Sequence, residues 1–411
     1  MVFWLTFDVI GAFLSDMLSV IIDAITAGAD AALTDFNISP PMHSLIINGV
    51  FGGVGSVLSF IPTIVTLFFF LSMLEDSGYM ARVAFVMDKL LRKIGLSGSS
   101  FVPMIIGFGC SVPAIMASRT LASERDRKMT IILTPFMSCS AKLPIYGMFI
   151  AAFFPQNGGL IMLSLYLLGI LVAIISGLLL NSLVFRGKPV PFVMELPAYH
   201  LPTVGTVLRS MWERGWSFIK RAGTIILLST IIIWFTTYFG WVEGSFQMLA
   251  EDQIEYSILA RIGKCIAWLF APLGWGNWQA TVASVTGLVA KENIVATMGI
   301  LYGGGDTSVY ATMASQFTAV TGYAFLTFNL LCAPCFAAMG AIKREMNNTK
   351  WFFTAIGYQC GFAYIIALIV NGIGGMFTGA FSVWSVVAIL LAVSLIYLLA
   401  RPYKKANTLK M

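Results

Sequence analysis

Residues 103–113 read Pro103, Met104, Ile105, Ile106, Gly107, Phe108, Gly109, Cys110, Ser111, Val112 and Pro113. The stretch is apolar enough for a membrane interior, yet its prolines and glycines oppose an unbroken helix. Basic clusters flank it on both sides, at Arg82–Lys93 and Arg119–Lys128. Loops rich in Lys and Arg stay on the cytoplasmic side. Residues 99–118 therefore enter and leave from one face, as a re-entrant or broken helix.

The surroundings support a membrane setting. Hydrophobic residues make up 58% and charged residues 11% of the 411 positions, and the mean hydropathy is +0.86. A soluble chain carries roughly 25% charged residues. Residues 159–185, 222–242, 351–373 and 379–400 are apolar runs that match the roughly 20 residues a spanning helix needs. They lack the period-two alternation of membrane barrel strands. The fold class expected is all-α: a polytopic, multi-pass membrane protein.

The net charge of +6 comes from basic residues scattered between apolar runs, which reads as topology and excludes a nucleic-acid partner. All six cysteines fall in or beside apolar segments, as free thiols would and a secreted disulfide framework would not. The N-terminus has no positive region, so no cleavable signal peptide is expected. Its first Lys or Arg is Arg82; Asp8, Asp16, Asp23, Asp30 and Asp35 precede it. Their spacing near seven predicts an amphipathic helix in the outer interface.

Further basic clusters at Arg186–Arg221, Lys343–Lys350 and Arg401–Lys405 are placed inside, and the acidic stretch 243–256 outside. Residues 277–301 are then trapped between outer segments, as 99–118 is between inner ones. Aligning Ala81–Arg82 with Ala260–Arg261 also superposes Gly95 on Gly274, Ile115 on Ile294 and Ala117 on Ala296. The chain thus divides into an outer-side segment 1–43, a first repeat with its following span 44–185, and a cytoplasmic linker 186–221. A second, inverted repeat covers 222–340, and a helical hairpin with a basic tail covers 341–411. Inverted repeats with discontinuous helices place a substrate site near the bilayer midplane.

Four unusual sequences sit at the expected breaks: 109–113, Pro135–Pro144, Ala290–Asn293 and Cys332–Cys335. Irregular backbone at membrane depth lines a cavity or is buried in protein. Thiols suit soft or borderline metals such as Fe(II), Cu(I) and Zn(II). Cys110, Cys139, Cys332, Cys335 and the nearby carboxylate Glu292 are therefore the candidate metal ligands. Pro334 kinks the last segment, so one of Cys332 and Cys335 or both face inward. Ser111, Ser138, Ser140, Glu75, Asp76, Lys291 and Asn293 are candidates for lining the metal path.

Plainer roles compete. Cys265, Cys360, Met104 and Met137 read as packing residues. Lys291 could snorkel to the interface while Glu292 caps a helix. Glu75 and Asp76 are either a cytoplasmic exit or a solvated helix end. His43 and His200 are the only histidines, which excludes a His-rich site. HExxH, GxSxG and the phosphate loop GxxxxGK[ST] are all missing from the sequence, so neither an enzyme nor a nucleotide site is expected.

Several runs resemble the ferrous iron transport protein B family. They are Ile61–Thr63, Leu74–Arg82, Gly107–Thr120, Pro135–Tyr146, Gly287–Glu292 and Cys332–Cys335. The segment from Glu195 through Trp212 to Thr224 is similar to that family's central linker. The resemblance implies two gate modules similar to nucleoside-transporter halves, forming an Fe(II) path in the cytoplasmic (inner) membrane. It implies that cysteines matching Cys110, Cys139 and Cys332 or Cys335 handle Fe2+ as transported substrate, with no permanently bound cofactor. It also implies a GTPase domain or subunit in trans, a small cytoplasmic accessory protein, contact with membrane lipid, and room for a homo-oligomer. Family members usually begin with a GTPase domain and a membrane helix, whose outer end Phe3–Phe7 resembles. On that reading the chain is a permease portion. The alternatives are a nucleoside or other organic-solute carrier, and a membrane anchor for a separate GTPase.

Overall fold

The computed structural model describes residues 5–35, 39–185, 199–242, 245–249, 251–302, 309–379 and 381–400. Of the features expected from the sequence, residues 186–198 of the linker, the tail 401–411, and Phe3, Trp4 and Glu243 lie outside them. Among the described residues, six helices are long and apolar enough to cross a membrane, or eight if two bent helix pairs each count as one span. The sheet structure described is one two-stranded hairpin. The chain forms two compact units, 1–80 with 196–263, and 81–195 with 264–411.

In the first unit, α1 (Gly11–Asp35) and α2 (Gly52–Asp76) pack together. Ser15 donates a hydrogen bond to the Ser59 carbonyl, and Thr63 Oγ1 donates to the Gly11 carbonyl at 3.4 Å. Such pairing is expected where lipid offers no water to hydroxyls. Helix α1 has the length and composition of a span, so these properties do not by themselves assign it to the interface. Gly78 ends the turn after α2 at a φ of +76°, a conformation that favours glycine.

The second unit opens with α3 (Tyr79–Ile94), whose first residues belong to the first unit. Helices α4 (Phe101–Gly109), α5 (Ser111–Ala117), α6 (Glu124–Leu133), α7 (Leu143–Phe153) and α8 (Gly158–Leu183) follow. In the first unit again, α9 (Val204–Tyr238) runs unbroken past residue 221. The strands β1 (Phe239–Val242) and β2 (Ser245–Met248) pair antiparallel behind it. Hydropathy alone continues the span through 239–242; the structure turns it into a strand, with Phe239 stacked on Phe235 at a centroid distance of 4.8 Å.

Helix α10 (Ile258–Phe270) leads back into the second unit, followed by α11 (Trp278–Thr286), α12 (Asn293–Tyr302), α13 (Val309–Gln316), α14 (Ala319–Leu331) and α15 (Phe336–Met346). Together α14 and α15 make one candidate span, Ala319–Met346, and Thr318 starts α14 through a capping box with Thr321. The expected hairpin is present as α16 (Thr349–Phe377) and α17 (Val383–Ala400). Phe149, Phe317, Phe325 and Trp275 make an aromatic core, with Phe149 and Phe325 centroids 5.0 Å apart.

Arg125 ties three helix ends together. It donates to the carbonyls of Gly95 at 2.9 Å and Phe185 at 3.0 Å, to Asn181 Oδ1 at 2.6 Å and to Asp126 Oδ1 at 2.9 Å. Asp126 is 1% exposed, so Arg125→Ala strands a buried carboxylate. That costs about 3–5 kcal/mol, against about 0–1 kcal/mol for Arg209→Ala, which breaks an exposed pair with Glu213. Thermal unfolding in detergent checks the contrast; equal midpoints for the two variants refute it.

Candidate functional site

Both halves of the second unit follow one local pattern: two helices with a break, then two more with a break. In the first half the single residue Cys110 separates α4 from α5 with extended backbone, φ −152° and ψ 131°. Pro113 falls in the first turn of α5, where its missing N–H costs nothing. The second break runs from Met137 to Cys139, both extended, between a turn at Thr134–Phe136 and another at Ser140–Lys142. In the other half, residues 287–292 separate α11 from α12, and Cys332–Cys335 separates α14 from α15.

The breaks hold one another. Ser140 Oγ donates to the Gly109 carbonyl at 3.1 Å, and the Phe336 N–H donates to the Leu288 carbonyl at 2.8 Å. Lys142, 2% exposed, donates to the carbonyls of Pro135 at 3.1 Å, Met137 at 3.1 Å and Leu330 at 2.7 Å. It thereby joins the break of the first half to the end of α14 in the second. Lys291 is also 2% exposed, and its Nζ donates to Cys332 Sγ at 3.1 Å.

Cys110 lies within electrostatic range of Cys139, Cys335 and Glu292. Cys335 is in range of Cys139, Glu292 and Lys291. These four candidates, one from each break, share a neighbourhood. They are not closed into a coordination sphere: among the described residues no three His, Cys, Asp or Glu side chains stand close enough to hold a metal ion. Cys332 stands apart, 2% exposed and partnered by Lys291; Cys335 is the less buried member of the pair.

The remaining candidates are distributed. Ser138 shares a hydrogen bond with Tyr146 Oη at 3.0 Å, Ser111 is buried at the start of α5, and Asn293 begins α12. Lys291 is turned inward onto Cys332 and is not extended along the surface. In the first unit, Glu75 pairs with Arg214 at 2.7 Å, and Asp76 Oδ2 accepts the Thr203 N–H at 2.8 Å. Lys142 is not among the residues that sequence reasoning selects. The available signal was a lysine inside an apolar segment, which is functional by default.

A family model for nucleoside recognition Gate proteins matches residues 57–153 and 219–349, more than half of the chain. A model for the ferrous iron transport protein B C terminus matches the intervening residues 162–214. The chain belongs to the ferrous iron transport protein B family.

Relatives in that family include the Fe(2+) transporter FeoB of Staphylococcus aureus (strain COL), 42% identical over 92% of this chain and 56% of that protein. The FeoB of Methanocaldococcus jannaschii is 42% identical over 81% of this chain and 50% of that protein. A Porphyromonas gingivalis protein named as a fusion of Fe(2+) transport protein A with FeoB is 39% identical over 81% and 44%. The chain therefore spans about half the length of these ferrous iron transport relatives. A solved structure of CNTnw in an outward-facing state aligns with a TM-score of 0.51 at 17% identity, covering 90% of this chain and 89% of that one. This likeness concerns the fold.

Proposed function

We propose that this chain is the permease portion of a ferrous-iron transporter, and that Fe2+ crosses at the chain breaks of its two gate repeats. Cys110, Cys139 and Cys335 supply sulfur and Glu292 a carboxylate, with carbonyls freed by the prolines and glycines completing a transient set of ligands. Ser111, Ser138, Ser140, Lys291 and Asn293 line or shape that path. The observation that carries this reading is the shared neighbourhood of one candidate ligand from each of four breaks. An open arrangement suits cargo that must leave again, since a closed tetrahedral thiolate set is the geometry of structural zinc.

The GTPase that energises or gates transport is a separate domain or subunit acting on these repeats. The named fusion relative favours a small accessory protein as a further partner. The repeats are oppositely inserted in a cytoplasmic membrane, with the basic loops inside. An organic-solute carrier has less support, because a thiol neighbourhood gives a sugar or base few hydrogen-bond partners; a passive anchor gives no reason for converging breaks.

Uptake of Fe2+ into vesicles carrying the chain, with and without an added GTPase, tests the proposal. Metal-dependent uptake that the GTPase accelerates is expected. Uptake of a nucleoside instead, or no solute movement under either condition, overturns it.

A further inference from the structure

Two short helices of the second unit lead away from the thiols to a common end. Cys110 is the N-cap of α5 and Cys335 the N-cap of α15, and the two helices pack against each other. Arg119 follows Cys110 by nine residues, and Glu345 follows Cys335 by ten. At about 1.5 Å of rise per residue, helices in register at the thiols are still in register there. The structure closes that end with an ion pair, in which the Arg119 guanidinium donates to Glu345 Oε1.

Burial makes this pair more than a surface contact. Glu345 is 8% exposed, against 46% for the Arg119 side chain, and a carboxylate buried to this degree needs its partner to stay charged. The pair also joins the two halves, since α5 belongs to the first and α15 to the second. Lys142 crosses between the halves as well, but it grips the end of α14. Arg119 and Glu345 act instead on the two helices that begin at Cys110 and Cys335.

We propose that Arg119 and Glu345 are positioning residues: by clamping the far ends of α5 and α15, they set the separation of Cys110 and Cys335. Packed helices shift as rigid bodies, so freeing one end moves the other. Metal binding tolerates about ±0.2 Å in its ligand distances, which makes the thiol separation a determinant of Fe2+ affinity. Neither residue touches the cation; both act through the helices they join. The consequence for Fe2+ rests on the thiol reading above, whereas the separation itself is a property of the fold.

Two measurements on the full chain test this. With Cys110 and Cys335 kept as the sole cysteines, cross-linking by bismaleimidoethane in detergent reports their separation without any transport step. Glu345→Gln and Arg119→Gln should each slow it by about threefold or more, while labelling by a monofunctional maleimide stays unchanged. With all six cysteines present, uptake into vesicles with the GTPase added is the second measurement. Each variant should raise the half-saturating Fe2+ concentration about tenfold, with the maximal rate per folded molecule within about twofold. A merely structural role would lower the amount of folded protein and leave half-saturation in place. Unchanged cross-linking overturns the proposal, as does unchanged half-saturation in a chain that Cys335→Ser impairs. If Cys335→Ser leaves uptake intact while cross-linking slows, the thiol reading fails and the clamp stands. Should the glutamine variants misfold, Glu345→Asp decides, since it keeps the charge and shortens the reach by one methylene: slower cross-linking supports the clamp, and an unchanged rate overturns it.

Discussion

Cys335→Ser is expected to lower Fe2+ uptake by about tenfold to a hundredfold, while Cys332→Ser stays within about threefold of the unchanged chain. The two cysteines are three residues apart and look interchangeable in sequence, but their surroundings differ. Cys335 is in electrostatic range of Cys139 and Glu292, and Cys110 of Cys335. Replacing its sulfur with a hydroxyl removes the donor type that suits Fe(II) while changing little volume. Cys332 instead receives the Lys291 ammonium at 3.1 Å, and a serine there still accepts that hydrogen bond. Cys110→Ser and Cys139→Ser should resemble Cys335→Ser. Uptake per folded molecule, normalised to protein recovered from the membrane, is the measurement. Loss in Cys332→Ser with full activity in Cys335→Ser would reverse the assignment of the pair, and normal uptake in all four variants would remove thiols from the mechanism.

The breaks were legible in the sequence because their causes are local. Pro103, Gly107, Gly109 and Pro113 announce the interruption at Cys110, and Pro135 with Pro144 brackets the one at Met137–Cys139. The hairpin at 239–248 was not legible. Phe239, Gly240, Trp241 and Val242 continue an apolar run, and a short apolar stretch of this kind has no period that separates strand from helix. The start of α14 is hard to read for a related reason: the Thr318–Thr321 capping box that sets it is a signal of only two hydroxyls.

At the site, residue types could be read and partners could not. Thiols near prolines pointed to Cys110, Cys139 and the Cys332/Cys335 pair, yet nothing local separates Cys332 from Cys335. That distinction comes from Lys291, which the fold brings to Cys332 from another break. Lys142 is the same kind of case. Its partner Leu330 lies 188 positions away, and one sequence carries no trace of that meeting. What it did carry was an ionisable side chain among apolar neighbours, which alone justified attention.

Lys142→Met is expected to lower both stability and uptake. The ammonium makes three hydrogen bonds, of 3.1, 3.1 and 2.7 Å, to carbonyls that no helix satisfies. Hydrogen bonds to charged groups are worth about 1.5–3 kcal/mol each, but burying an ammonium carries its own desolvation penalty, which methionine escapes. The net loss is therefore nearer ~2–4 kcal/mol than the sum of three bonds. Methionine keeps the length and apolar stem, so the comparison isolates the charge. A lowered thermal midpoint in detergent should appear together with uptake reduced beyond what the loss of folded protein explains, because Met137 lies in one break and Pro135 and Leu330 flank the breaks. The exposed Lys350→Met is the control and should leave both unchanged. If Lys142→Met melts and transports like that control, the three carbonyls have found other partners, and the clamp is not what holds the two halves' breaks in register.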